Sequence, residues 1–127
     1  MRVVSFDFGA LRLTAELLDT PTAEAVWRAL PFEGRALTWG EEVYFEVPVG
    51  LPRESRARAL VEAGEIAYWP DGECIAIGFG RTPISGPGEI RLASPCNIWA
   101  KACNDVRALK AVKAGARVRV ARAGESP

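Results

Sequence analysis

Histidine and glutamine are absent from this chain of 127 residues, and cysteine occurs only three times. Without histidine, a nucleophile activated in a Ser-His or Cys-His pair is excluded. Cys74, Cys96 and Cys103 form no Cys-x-x-Cys pair, so a structural zinc site is not expected. We expect the cysteines to be reduced and mostly buried, and we expect no metal and no cofactor.

An excess of charge of one sign is also lacking, since 16 Lys and Arg residues balance 16 Asp and Glu residues. Nucleic-acid-binding proteins usually carry clustered positive charge, so no nucleic-acid partner is expected. Arg53, Arg56 and Arg58 are interleaved with Glu54, which is typical of a solvated face. No apolar run approaches the roughly 20 residues of a membrane span. Asp7 interrupts the first apolar run, so we expect no secretory signal, no membrane partner and a cytoplasmic location.

The length predicts one domain with its own hydrophobic core, over residues 1–124, followed by a frayed tail at 125–127. Asparagine occurs only twice, and Arg far outnumbers Lys. Depletion of thermolabile amides fits a heat-adapted source. A coding bias toward Arg and Ala explains the same composition, and both interpretations stay open.

Alternating apolar and polar residues are the main structural signal that is present. Residues 2–8 and 11–18 alternate on either side of Gly9-Ala10, which predicts a hairpin with one buried face. Asp71-Gly72 is a strong two-residue hairpin signal and predicts a second hairpin between strands 65–69 and 73–79. Further strands are expected at 35–49, where Gly40 indicates a turn, a bulge or a close approach, and at 89–93, 97–103 and 116–121.

Helical spacing appears in three segments. Thr20 or Thr22 can cap a helix that has Pro21 in its first turn and that ends before Pro31. A second helix is predicted from Pro52 to Gly64, and a third, short one over 105–112. About eight short strands with a few helices favour a barrel or a sandwich, and flanking helices suit the open ends of a closed barrel.

The order of these elements resembles the cyclophilin fold and, more closely, the small prokaryotic cyclophilin-like domain family, whose function is not firmly assigned. Cyclophilins share the first hairpin and segments similar to AELLDTPTAEAVWRALP and ECIAIGFGRTP. The smaller family matches, in order and at fitting distances, WGEEVYF, GEIAYWPDG, GFGRTPIS and ASPCNIWAK. The resemblance implies a mainly β protein, a closed antiparallel eight-stranded cyclophilin-like barrel capped by two or three short helices.

The resemblance also implies a cleft on an outer face of the barrel, where cyclophilins bind proline peptides and isomerise X-Pro bonds with an Arg in a Phe-His-Arg segment. The corresponding region here, 38–45, contains neither His nor Arg, and Glu41 and Glu42 stand in it instead. An ionised carboxylate cannot donate a hydrogen bond to a prolyl nitrogen. We therefore carry over the fold and the place of the cleft, and no catalytic residue.

The candidate ligand-binding residues are the aromatic, polar and proline side chains near that cleft: Trp39, Tyr44, Phe45, Phe79, Arg81, Thr82, Pro83 and Asn97. Tyr44 and Phe45 must point to opposite sides of a regular strand, one toward the core and the other toward the cleft. For any single aromatic residue, packing in the core is the alternative.

Each charged or polar candidate also has a structural interpretation. Glu41 and Glu42 form an acid–base pair or, the favoured interpretation, lie on an exposed strand edge. Arg81 clamps a carboxylate or phosphate, or forms a salt bridge with Glu41, Glu42 or Asp71. Asn97 either lines the cleft or satisfies backbone groups at a turn.

Three functions follow. The first is a non-catalytic module that binds a peptide or small ligand in the outer groove. The second is a peptidyl-prolyl isomerase with an altered site. The third is a structural domain whose exposed aromatic residues form a homo-oligomer.

Overall fold

The computed structural model describes residues 1–124, and the expected frayed tail at 125–127 lies outside them. One α-helix and one 3₁₀ helix accompany ten strands among these residues. The bounds are β1 Val3–Asp7, β2 Arg12–Leu17, α1 Pro21–Ala29, β3 Phe32–Arg35, β4 Leu37–Thr38, β5 Glu42–Glu46, β6 Arg58–Val61, β7 Glu65–Trp69, β8 Cys74–Gly78, β9 Ile90–Ala102, the 3₁₀ helix Val106–Ala111 and β10 Arg117–Arg122.

The strands form a nearly closed antiparallel barrel. Neighbouring strands follow the order β3-β10-β1-β2-β9-β7-β8-β5-β4, and β6 adds to β9 outside this circuit. Only Ala36 separates β3, which pairs with β10, from β4, which pairs with β5. The two ends of the circuit are therefore the two halves of one bent strand, and counting β3 and β4 together gives the predicted eight strands.

Helix α1 begins and ends where the sequence predicts. The Thr20 hydroxyl accepts a hydrogen bond from the Ala23 amide at 3.0 Å, and Pro21 is the first helical residue. The helix stops at Ala29, because Pro31 pushes the preceding Leu30 into an extended conformation (ψ 146). Val26 is fully buried and joins the barrel core, so the helix covers part of that core.

The helix predicted from Pro52 to Gly64 is wrong, since 51–57 is irregular and Arg58–Val61 forms strand β6. Two contacts outweigh the helical spacing. The Glu54 amide donates to the side chain of Asn97 at 2.8 Å, and β6 pairs with the first half of β9. Tertiary pairing of this kind routinely overrides helix propensity.

The second hairpin is confirmed, with a longer turn than predicted. Trp69 and Cys74 are the last paired residues, so the loop has four residues, Pro70–Glu73. The positive φ of 51° falls on Glu73, whereas a two-residue type I′ turn requires positive φ at both central residues. Asp71-Gly72 lies at the centre of the turn, as the composition indicates.

Two apolar clusters lie on opposite sides of the sheet. The larger fills the barrel, where Phe6 meets Phe45 and Trp99 with ring centroids 6.4 and 6.2 Å apart. The smaller lies on the outer face of β7, β8 and β9 and consists of Val61, Ala67, Ala76, Leu92 and Cys96. Tyr44 and Trp69 pack against this outer cluster, which forms the floor of the candidate site.

Candidate functional site

Strand β5 divides its side chains between the barrel core and the outer face. Val43 and Phe45 are fully buried in the core cluster. Glu42 and Tyr44 alternate with them and therefore share the outer face, opposite Gly78 and Ala76 of β8. The prediction that Tyr44 and Phe45 point to opposite sides is confirmed.

A cavity of about 280 Å³ opens on this outer face. Three aromatic side chains, one carboxyl group and small or apolar side chains line it: Trp39, Glu42, Tyr44, Trp69, Ala76, Leu92, Ala93 and Cys96. An apolar cavity with few polar groups is the usual form of a small-molecule site. We call it the outer cavity.

A tight turn between β4 and β5 places Trp39 and Glu42 together. The Trp39 amide donates to the Glu42 carbonyl at 3.0 Å. Gly40 has a φ of +60°, and a Cβ atom there would lie 2.8 Å from the Arg81 carbonyl oxygen. Glycine is therefore required both by the backbone conformation and by the close approach of the loop at 80–83, which packs against the turn.

Trp69 is held at the opposite wall of the cavity. Its indole Nε1 donates to the Ser94 hydroxyl at 2.8 Å. The ring lies against Gly72, where a Cβ atom would come within 2.4 Å of it. Both contacts restrict the indole, so this wall of the outer cavity is preformed.

Glu42 is the unusual group of the site. It is 6 % exposed, and its Oε1 has no hydrogen-bond partner in the part of the chain that the structure describes. Burial raises the pKa of its carboxyl to about 7, since an ion is poorly solvated in apolar surroundings. The expectation of an exposed edge is thus wrong for Glu42. Glu41, in contrast, is half-buried and lies 3.9 Å from the ammonium of Lys110.

The two buried cysteines do not supply a nucleophile. Burial raises the pKa of the Cys96 thiol to about 12 and that of Cys74 to about 11, and a thiol of that pKa is inert at neutral pH. Both are free and buried as predicted, whereas Cys103 is free and exposed. Within residues 1–124, no group of His, Cys, Asp and Glu side chains is arranged to hold a metal ion.

The predicted site residues fall into three places. Trp39 and Tyr44 line the outer cavity. Phe45 lies in the core, and Phe79 packs against that core. Thr82 is buried, its hydroxyl donating to the Arg91 carbonyl at 2.5 Å, while Pro83 is exposed beside Gly40. A role of these residues in binding a ligand stays a prediction.

Within residues 1–124, Arg81 does not form the expected ion pair, whereas Asn97 does satisfy backbone groups, those of Pro52 and Glu54. Arg81 is exposed, and among the described residues it has no ion pair with Glu41, Glu42 or Asp71. Only its backbone contacts Glu41, where its amide donates to Oε1 at 3.0 Å. Asn97 is buried within β9 rather than at a turn, and it donates to the Thr22 hydroxyl at 3.1 Å and the Pro52 carbonyl at 3.0 Å.

Six lining residues are absent from the predicted set: Glu42, Trp69, Ala76, Leu92, Ala93 and Cys96. Strand parity carries a signal for Glu42, because it lies two residues before Tyr44 and so faces the same side. Ala76 lies opposite Tyr44 on β8. The other four depend on the pairing of β7 with β8 and on the first half of β9 folding over β8. No local pattern in the sequence contains that information.

The fold and the site place the chain among the cyclophilin-like barrels. A family model described as Cyclophilin-like matches residues 2–121. The chain therefore belongs to the cyclophilin-like family. Among the described residues, no helix has the length and apolar character to cross a membrane.

Two solved structures share the architecture. The solution structure of the hypothetical protein AF2241 from Archaeoglobus fulgidus is 35% identical, with a TM-score of 0.83 over 96% of this chain and 95% of that one. The structure of McbB in complex with tryptophan is 20% identical, with a TM-score of 0.69 over 100% of this chain and 46% of that one, a likeness of fold alone. The comparison with curated proteins gave no match.

Proposed function

We propose that this protein binds a compact, largely apolar ligand in the outer cavity and that it is not a prolyl isomerase. One observation carries the proposal: three aromatic side chains surround a cavity whose only carboxyl group, that of Glu42, has an unpartnered oxygen among the described residues. A buried polar atom without a partner costs stability, on the order of 1–3 kcal/mol. A ligand that satisfies this atom recovers that cost.

The size of the cavity favours a small molecule over a peptide. Typical ligand pockets measure roughly 300–1,000 Å³, and the outer cavity, at about 280 Å³, lies at the lower end. It accommodates one ring system with a short substituent. The structure of McbB is that of a complex with tryptophan, and we include tryptophan among the probes for that reason.

The preformed aromatic walls support a flat ligand. The Trp69 indole is fixed by Ser94 and Gly72, and the backbone of Trp39 is held by the turn that ends at Glu42. Aromatic rings in offset or edge contact contribute about 0.5–1.5 kcal/mol beyond the area they bury. Little reordering is needed on binding, which lowers its entropic cost.

Binding is tested by titrating indole, tryptophan and 2-phenylethanol into ¹⁵N-labelled protein and following the indole N–H signals of Trp39 and Trp69. We expect at least one probe to shift both signals. We expect Tyr44→Ala to lower the affinity for that probe tenfold or more. Arg81→Ala is the matched control, because its exposed side chain does not line the cavity. Unchanged affinity in Tyr44→Ala would refute the site, and a loss in Arg81→Ala would extend it to the 80–83 loop.

Isomerase activity is a second candidate because Glu42, with a pKa of about 7, is protonated in part at neutral pH and is then a hydrogen-bond donor. No lining residue carries a guanidinium, so we expect no catalysis. Cis–trans exchange of an Ala-Pro peptide, measured by NMR at pH 6 and pH 8, should match the buffer rate. A faster rate at pH 6 that disappears in Glu42→Leu, which removes the donor, would establish the isomerase instead.

A further inference from the structure

We propose that the ligand of the outer cavity is an organic cation, a protonated or quaternary ammonium group on a small apolar body, with the Glu42 carboxylate as its counter-ion. The inference rests on the proposed function above and names the class of ligand. It follows from the aromatic walls, from the charges that line the cavity and from the unpartnered Glu42 oxygen.

The aromatic walls favour a cation over any other charge. Trp39, Tyr44 and Trp69 line one cavity of about 280 Å³. The face of an aromatic ring carries negative electrostatic potential, and a cation within about 6 Å of the ring centroid gains roughly 0.5–2 kcal/mol. Several aromatic faces around one small space form the kind of cage that recognises ammonium groups.

The charges of the lining residues also favour a cationic ligand. Lys and Arg are absent from the lining, and Glu42 is its only carboxyl group. An anionic ligand would meet that carboxyl and the negative ring faces. A neutral ligand would leave the carboxylate uncompensated, whereas a buried charge is stable when it is paired. A ligand with a single positive charge neutralises the Glu42 carboxylate.

The position of Glu42 fits a counter-ion better than a structural ion pair. Oε1 has no partner among the described residues, and none of the ion pairs in that part of the chain includes Glu42. Glu65 is equally buried, at 6 % exposure, but it forms a bidentate ion pair with Arg58. The fold thus provides a partner for one buried glutamate and leaves the other for a ligand.

Binding of a cation is expected to release a proton from Glu42. Burial holds its pKa at about 7, and an adjacent positive charge favours the ionised form. Cys74 and Cys96 remain thiols at neutral pH, since their pKa values are about 11 and 12. The ionisable groups facing this region are Tyr44 and Glu46 on β5, Cys74 on β8, Cys96 on β9, and Arg53 and Asp71 near Cys96.

Three probes of nearly one shape test the charge preference: 2-phenylethylammonium, 2-phenylethanol and phenylacetate. Each is titrated at pH 8 into ¹⁵N-labelled protein, with the Trp39 and Trp69 indole signals as the readout. We expect the ammonium to bind at least tenfold more tightly than the alcohol, and phenylacetate more weakly than both. In Glu42→Gln the affinities for the ammonium and for the alcohol should become equal, while binding of the alcohol is retained.

A permanently charged probe, benzyltrimethylammonium, tests the proton coupling, because its own charge does not change with pH. Only the fraction of protein with ionised Glu42 binds it well, so its affinity should increase by up to about thirtyfold from pH 5.5 to pH 8.5. Most of this increase falls below pH 8. Glu42→Gln should bind this probe weakly and equally at both pH values.

The outcomes separate the two proposals. If the alcohol binds as tightly as the ammonium, the cation inference is wrong and the binding function stands. If no probe, including indole and tryptophan, moves either indole signal, the binding function itself is wrong. A cation preference that survives in Glu42→Gln would also overturn the inference. Trp39→Leu is a second variant, which keeps apolar bulk without a π face and should lose part of the preference.

Discussion

The two faces of strand β5 differ in how completely their groups are satisfied. On the inner face, Phe45 is fully buried and contacts Phe6 and Phe8 edge-on, with centroids 6.4 and 6.5 Å apart. On the outer face, Tyr44 is half-buried and Glu42 keeps one oxygen without a partner among the described residues. The inner face is packed, and the outer face borders a cavity of about 280 Å³.

If the proposed function holds, this difference separates stability from ligand binding within one strand. Because neighbouring residues alternate between the faces, the outer face can change its side chains while the barrel keeps its core. The cyclophilin-like fold thus allows a new ligand site without a new scaffold, and function has to be inferred from the site rather than from the fold.

The largest expected effect is on the inner face. Phe45→Ala should lower the free energy of unfolding by about 3–5 kcal/mol, because it leaves a large void in a closed core. Tyr44→Ala, one residue away, should lower it by roughly 1 kcal/mol. Urea denaturation followed by circular dichroism measures both. Equal losses would show that the outer face supports the barrel as much as the core does.

The next largest expected effect is a pH dependence of the free energy of unfolding, which arises from Glu42. Its pKa in the folded protein is about 7, against an ordinary value of 4.5. The folded state therefore holds a proton that the unfolded state has lost between these two values. Stability is full below pH 4.5 and falls as pH rises toward 7, by about 3 kcal/mol in total, and then stays level.

Glu42→Gln removes this titration and is the means of isolating it. The free energy of unfolding of the variant, relative to the unmodified protein, should increase between pH 4.5 and pH 7.5. Glu46→Gln is a matched control on the same strand, since Glu46 is exposed, and should show no such increase. A constant difference between Glu42→Gln and the unmodified protein across this range would mean that Glu42 has an ordinary pKa.

The barrel was largely predictable because local signals determine it. Alternation in β2, the Thr20 cap with Pro21, and the Asp71-Gly72 turn each act over a few residues, and they agree with one another. The irregular segment and strand β6 that replace the predicted helix at 52–64 were not predictable in the same way. The spacing there is helical, but Asn97, more than 40 residues away, binds the Glu54 amide.

The candidate site was predictable only in part, for a related reason. Tyr44 follows from strand parity, and Trp39 from its place before that strand. For Glu42 the sequence favours an exposed strand edge, because adjacent residues on a strand point apart and strand edges commonly carry charges. Its burial depends on Leu92 and Cys96 of β9 folding over β8, a contact between distant segments that no window of sequence shows.

The smallest expected effect contrasts two indole groups. Trp69, on the outer face, donates to Ser94 at 2.8 Å, whereas the Nε1 of Trp99, in the core, has no partner among the described residues. Ser94→Ala should lower the free energy of unfolding by about 1 kcal/mol and weaken ligand binding a few-fold, because the Trp69 ring loses one of its two restraints.

The control is Ser55→Ala, because Ser55 is exposed, and it should alter neither quantity. Unfolding by urea and the probe titrations measure the two effects. Unchanged ligand affinity in Ser94→Ala would show that Gly72 alone positions the Trp69 ring, and that this wall of the cavity is more rigid than the Trp69–Ser94 hydrogen bond implies.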